Sequence, residues 1–168
     1  MKTLKLRTVQ VFTGLALILT AACHDDNGVP NDPDYVVFGD FYGECIGSGC
    51  VDIYKLQTDA IYEDNKDVYP SMRASYNGNY ILRTNVNIDD IKDLLDKIPA
   101  QLYGEQDTVL GAPDAADGGG FYIEVNRNHE RRFWLIDKQK FDGDRAYLNA
   151  FTDIVQEKLD LLEKDSDF

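Results

Sequence analysis

Histidine is nearly missing from this chain of 168 residues, which holds two, His24 and His129. His24 adjoins an amino-terminal cysteine and His129 falls in a stretch that reads as a turn, so a Ser-His-Asp or Cys-His nucleophile has no base to build on. No H-E-x-x-H, no phosphate-cradling G-x-x-x-x-G-K-[ST] and no G-x-G-x-x-G after a strand is present. Ser48 is flanked by glycines but lacks the G-x-S-x-G form. These absences point away from an enzyme, and no cofactor is expected. Acids abound, so a carboxylate-based hydrolase stands as an alternative, although no pair of acids stands out.

Positive charge is also scarce. There are 17 basic against 30 acidic residues, for a net charge of −13. A field of that sign repels phosphate backbones and excludes nucleic acid as a partner. It favours solubility, and hard-oxygen ligands of the kind that hold Ca²⁺.

Long hydrophobic runs are limited to one. Val11 to Ala22 is apolar for about a dozen residues, whereas a bilayer span needs roughly 20. Lys2, Lys5 and Arg7 precede it and Leu19-Thr20-Ala21-Ala22-Cys23 ends it, the layout of an export signal. Small residues before a cysteine resemble the bacterial lipobox, in which the thiol receives a diacylglycerol. Each buried CH₂ of such a lipid contributes about 0.8 kcal/mol to anchoring. Thr20 stands where a branched aliphatic residue is usual, so ordinary signal-peptide cleavage is the alternative. The expectation is a signal over 1–22, lipidation of Cys23, a flexible tether over 23–34 and a single domain over 35–164. Loss of the signal takes three positive charges off the −13 and leaves a mature chain of 146 residues at −16, enough for one domain with a core.

Cys23-His24-Asp25-Asp26 places acids directly behind the lipidated position. That arrangement resembles the surface-export signal of Bacteroidota lipoproteins. It implies an outer-membrane location with the domain facing outward. The membrane is then a partner through the lipid, and a protein or glycan is the expected second partner.

Two cysteines remain, in Cys45-Ile-Gly-Ser-Gly-Cys50. Outside the cytoplasm such a pair tends to join, and the glycines let the chain turn sharply enough. A disulfide staple of about 2 kcal/mol is the reading. A redox pair or a metal site is the alternative, although the pair lacks C-x-x-C spacing and no second cysteine pair completes a zinc site.

From Tyr35 the pattern is of short strands: Tyr35–Tyr42, Val51–Leu56, Ala60–Glu63 and Tyr80–Arg83. A helix follows, with Asn87 as N-cap, Asp89 and Asp90 in its first turn, Ile88, Ile91, Leu94, Leu95 and Ile98 on one face, and Pro99 as its stop. A loop rich in Gly, Pro and Asp runs from Tyr103 to Gly120. Phe121–Asn126 and Arg131–Ile136 then form a hairpin. A last helix opens near Gly143 or Asp144 and carries Tyr147, Phe151, Ile154, Val155, Leu159 and Leu162 at helical spacing. Strands in runs, followed by helices, predict an α+β domain: a mostly antiparallel sheet of about five to six strands with two helices on one face.

Three further clusters carry chemistry. Asp114-Ala-Ala-Asp117-Gly-Gly-Gly120 sets two acids and three glycines in a loop, so Asp114 and Asp117 are weak Ca²⁺ candidates, with a turn as the plainer reading. A Ca²⁺-dependent interaction module is accordingly a second alternative function. Glu63-Asp-Asn-Lys-Asp67 reads as an acidic turn. Arg127, Arg131 and Arg132 form one basic spot near Trp134, able to make cation–aromatic contacts or hold a carboxylate.

Phe38-Gly-Asp-Phe-Tyr-Gly-Glu-Cys-Ile-Gly-Ser-Gly-Cys-Val-Asp-Ile-Tyr-Lys55, Tyr62-Glu-Asp64 and Pro113-Asp-Ala-Ala-Asp-Gly-Gly-Gly120, together with the Cys23-His-Asp-Asp start, resemble small Bacteroidota lipoproteins of unknown function. Some related chains have cysteines where Ala112 and Ala115 stand, so the resemblance implies that a second bridge is lacking here. It supports the address and the fold and implies no activity.

Overall fold

The computed structural model describes residues 34–164 apart from Ser48. The signal, Cys23 and the tether as far as Pro33 lie outside the described residues. Seven strands form one sheet: β1 (Tyr35–Phe41), β2 (Val51–Leu56), β3 (Ile61–Asp64), β4 (Tyr80–Arg83), β5 (Val109–Leu110), β6 (Gly120–Arg127) and β7 (Glu130–Asp137). Their order is β4-β3-β2-β1-β6-β7-β5. Every pairing is antiparallel except that of β5 with β7. The α+β expectation holds, with one more strand than the sequence suggests. β5 is the addition. Two residues are too short to show alternation, and Val109–Leu110 is recruited by β7, with Leu135 N–H donating to the Thr108 carbonyl at 2.8 Å.

β1 is buried at every position, because the sheet is covered on both faces. Alternation sends Val36 and Phe38 one way, with Tyr54, Ile123, Val125 and Trp134, into a core that both helices close. It sends Tyr35, Val37 and Phe41 the other way, with Ile53, Tyr122 and Leu135. Among the described residues no helix contributes to that second face. A strap over residues 65–79, the connection between β3 and β4, lies there instead and contributes Tyr76. Each large apolar side chain so buried stabilises the fold by about 1.5–3 kcal/mol.

The helix expected from Asn87 to Pro99 is broken. Asn87 caps as expected, its side chain accepting from Asp89 N–H at 3.4 Å, but it opens a 3₁₀ turn over Ile88–Asp90. Only Leu94–Lys97 is α-helical (α1), and a second 3₁₀ turn covers Ala100–Gly104. The physical reason lies in α2 (Tyr147–Lys164). Lys158 is buried there and donates to the Asp90 carbonyl at 2.6 Å, an acceptor that a continuous helix would have used. Its ammonium also pairs with Asp93 at 3.2 Å. The apolar face survives the break, for Ile91, Leu94, Ile98 and Leu102 are all buried. Among the described residues no helix is long and apolar enough to cross a membrane.

Candidate functional site

The strap face of the sheet carries a row of side chains set by register. Leu82, Tyr62, Lys55, Val37, Glu124 and Phe133 are successive cross-strand partners from β4 to β7. One row along, Tyr35, Asn126 and Arg131 are partners. Lys55 and Glu124 therefore flank Val37, and Arg131 sits diagonally across from Glu124. With Tyr35, Tyr76 and Tyr80 these residues wall a cavity of about 300 Å³ between sheet and strap.

Glu124 is fully buried, and a carboxylate there must be met by donors. Tyr122 hydroxyl donates to Oε2 at 2.6 Å, Arg131 Nε to Oε1 at 2.6 Å and Tyr35 hydroxyl to Oε1 at 3.3 Å. Burial and the neighbouring Glu124 push the Tyr122 hydroxyl far up, so it stays protonated as the donor the carboxylate needs. The same hydroxyl accepts from Tyr76 N–H at 2.8 Å, and Arg131 Nη2 donates to the Tyr76 carbonyl at 3.1 Å. Glu124 thus fixes Arg131, and Arg131 fixes the strap.

The root of the strap is a second buried carboxylate. Asp64 accepts from Lys66 N–H at 3.1 Å, Asp67 N–H at 3.2 Å, Tyr76 hydroxyl at 2.6 Å and Asn79 N–H. A short side chain that gathers backbone donors from both ends of a loop holds it shut.

Three donors around the cavity remain unspent. The Lys55 ammonium lies 4.0 Å from the centre of the Tyr35 ring and 5.9 Å from that of Tyr80, and it makes no ion pair among the described residues. Arg131 Nη1 has no hydrogen bond there either. The Tyr80 hydroxyl is buried and unpartnered. Burial and the nearby Glu124 and Asp64 push that hydroxyl up, so it keeps its proton.

Two other cavities are present. One of about 410 Å³, on the helix side, is lined by Tyr103, Arg127 and Arg132. The Tyr103 hydroxyl is buried there and unpartnered, like that of Tyr80, and the cations are partly engaged. Arg132 donates to the carbonyls of Tyr103 and Glu105 and lies 5.2 Å from the Trp134 ring, and Arg127 pairs with Asp96 at 3.4 Å. The single basic spot expected from Arg127, Arg131 and Arg132 is thus divided, because adjacent strand residues point to opposite faces. The other cavity, about 400 Å³, is lined by Asp52, Glu63, Asp67 and Arg83. Asp52 is pushed up to about 6 by burial and by Asp40, Glu163, Asp67 and Glu63. Its cross-strand partner Asp40 is buried and held by Lys138 at 2.6 Å, outside that cavity wall.

Cys45 and Cys50 are joined, with Cα atoms 5.4 Å apart, and close the tip between β1 and β2. Asp114 is a tie between loops: its carboxylate accepts from Gly43 N–H at 3.0 Å and from Tyr69 hydroxyl at 3.0 Å. Asp117 is exposed in the same loop. Among the described residues no three acidic, histidine or cysteine side chains gather as a metal would require. The two distinctive sequence segments meet here, Gly43 against Asp114 and Tyr42 against Gly119, where a Cβ on Gly119 would fall 2.5 Å from the Tyr42 ring.

No protein-family model matches the chain, and the curated proteins contain no match to it.

Lys55, Tyr80 and Glu124 were not singled out by sequence reasoning. The signal was available for Glu124: a lone acid centred in Phe121-Tyr-Ile-Glu-Val demands a buried partner in a two-faced strand.

Proposed function

We propose that the protein is a lipid-anchored binding domain, held on the outer membrane through Cys23 and exposed at the cell surface, with the strap-face cavity as its binding site. The observation that carries the binding role is the convergence of three unspent donors on one tyrosine-walled cavity. Of the three, the Tyr80 hydroxyl is the buried one, and leaving it unmet costs about 1–3 kcal/mol; a wall of tyrosines offers apolar contact with polar tips. The export-signal layout, the small residues before Cys23 and the acids behind it support the anchor. The missing catalytic motifs support binding over turnover.

The anchor is tested by fractionation. Wild-type protein is expected in the outer membrane and digested by protease added to whole cells, and Cys23→Ala in the soluble fraction. Membrane retention of Cys23→Ala would remove the anchor from the account. The binding role is tested by screening a small-molecule library against isotope-labelled protein, with shifts expected at the strap-face cavity. A library that moves nothing there would end it.

Carboxylate hydrolysis is the second reading, favoured by one observation. Asp52, pushed up to about 6, is suited to act as a general acid near neutral pH. Loss of a measured hydrolytic activity in Asp52→Asn would support it, and unchanged turnover would remove it.

A further inference from the structure

We infer that the strap-face cavity takes a single carboxylate group of a small polar molecule, seated on Lys55, Arg131 Nη1 and the Tyr80 hydroxyl. The inference deepens the binding reading above and rests on it.

Lys55, Arg131 Nη1 and the Tyr80 hydroxyl all have a hydrogen to donate, and Ser75 and Asn77 complete the polar wall. Lysine and arginine offer no acceptor, and the Tyr80 hydroxyl lacks any partner to donate to. The one carboxylate in the wall, Glu124, already accepts from Tyr122, Tyr35 and Arg131. The cavity therefore asks for acceptors, and a carboxylate offers about four lone-pair sites on two oxygens.

Charge selects a monoanion. Lys55 and Arg131 bring two positive charges and Glu124 one negative, so the wall as a whole carries one positive charge. A carboxylate balances it. A phosphate dianion would bring a second negative charge, with Asp64 next to Tyr80 across the strands and a chain of net charge −13 around it. Arginine's fork of two parallel N–H donors serves carboxylate and phosphate alike, so the selection rests on charge; here Nε and Nη2 are spent on Glu124 and the Tyr76 carbonyl. Only Nη1 is left.

Lys55 is held ready for the anion. Its ammonium stands over the Tyr35 ring, a contact that fixes a cation without neutralising it. Size and continuity describe the rest of the molecule. The cavity of about 300 Å³ lies at the small end of ligand sites. Lys55 and Tyr80 also line an adjoining depression of about 240 Å³ with Gln57 and Tyr62. The carboxylate sits in the first and the polar body lies over the tyrosines of the second.

The test is calorimetric titration of the mature, lipid-bearing protein in detergent with matched probes: D-glucuronate against D-glucose, benzoate against benzyl alcohol, and inorganic phosphate. Two variants accompany it. Lys55→Met keeps the packing over Tyr35 and removes the charge, and Tyr80→Phe removes only the hydroxyl; thermal melts confirm that both fold. At least one carboxylate is expected to bind about tenfold more tightly than its neutral match, with a similar loss in Lys55→Met, a few-fold loss in Tyr80→Phe, and no gain for phosphate. A neutral probe that binds as well as its carboxylate, with no loss in Lys55→Met, would overturn the carboxylate site and leave the binding role standing. Phosphate binding more tightly than either carboxylate would overturn the monoanion. Absence of binding by every probe would overturn the carboxylate site too, and the binding role would fall with it only if the library screen also leaves the cavity unmoved.

Discussion

Tyr122 shows how much one hydroxyl can carry. It donates to the buried Glu124 and accepts from the strap at Tyr76, so Tyr122→Phe strands a carboxylate oxygen and a backbone N–H together. A loss of about 2–3 kcal/mol is expected in urea unfolding, against a loss within about 0.5 kcal/mol for the exposed Asp117→Ala. Asp52 acts in the opposite direction. Its carboxyl is raised from 3.8 to about 6, first by burial and then by Asp40, Glu163, Asp67 and Glu63. The folded state therefore binds its proton more tightly than the unfolded chain does. Its ionised form opposes folding, and the opposition grows as pH rises from about 4 through 6. Asp52→Asn is expected to raise the melting temperature at pH 7.5 by roughly 3 °C, after allowance for screening of a half-exposed group. The gain should fade as the pH is lowered to 4, and a gain that persists unchanged there would contradict this cause.

The loops are joined in the same economical way. Asp114 lies in the left-handed region, φ +64°, and ties the first hairpin to the strap through Gly43 and Tyr69. Burial and the bond to Asp114 push the Tyr69 hydroxyl up to about 12. Asp114→Ala is expected to cost about 1–3 kcal/mol, and Ca²⁺ to leave the melting temperature of the wild type unchanged; a rise of several degrees with Ca²⁺ would reverse this assignment. The Cys45–Cys50 bridge closes a short loop, and Cys45→Ser with Cys50→Ser should cost about 2 kcal/mol with the far-ultraviolet dichroism preserved. The strands from Tyr35 and Phe121 were legible in the sequence because their apolar and β-branched residues run together. The helix after Asn87 was legible only in its buried residues. Its break depends on Lys158, 68 residues from Asp90, and a local pattern carries no trace of so distant a partner. β5 was hidden for the same reason, since two residues become a strand only beside β7.

At the scale of the whole molecule, the two faces of one sheet do different work. The helix face is a packed core. The strap face combines a smaller core with buried carboxylates, each holding part of a loop in place, and leaves spare donors on residues of the cavity wall. The candidate site was largely illegible beforehand. Alternation assigns Lys55, Glu124 and Arg131 to one face only once the register of four strands, β2, β1, β6 and β7, is known, and Tyr80 joins them through the return of the strap. The central claim is that this cavity, and neither the arginine-lined nor the acidic one, is where the molecule binds. The most direct measurement is the set of amide shift changes when isotope-labelled mature protein is titrated with D-glucuronate and benzoate. The account predicts changes that concentrate at Lys55, Tyr76 to Tyr80, Glu124 and Arg131. Changes confined to Tyr103, Arg127 and Arg132, or to Asp52, Glu63 and Arg83, would contradict it.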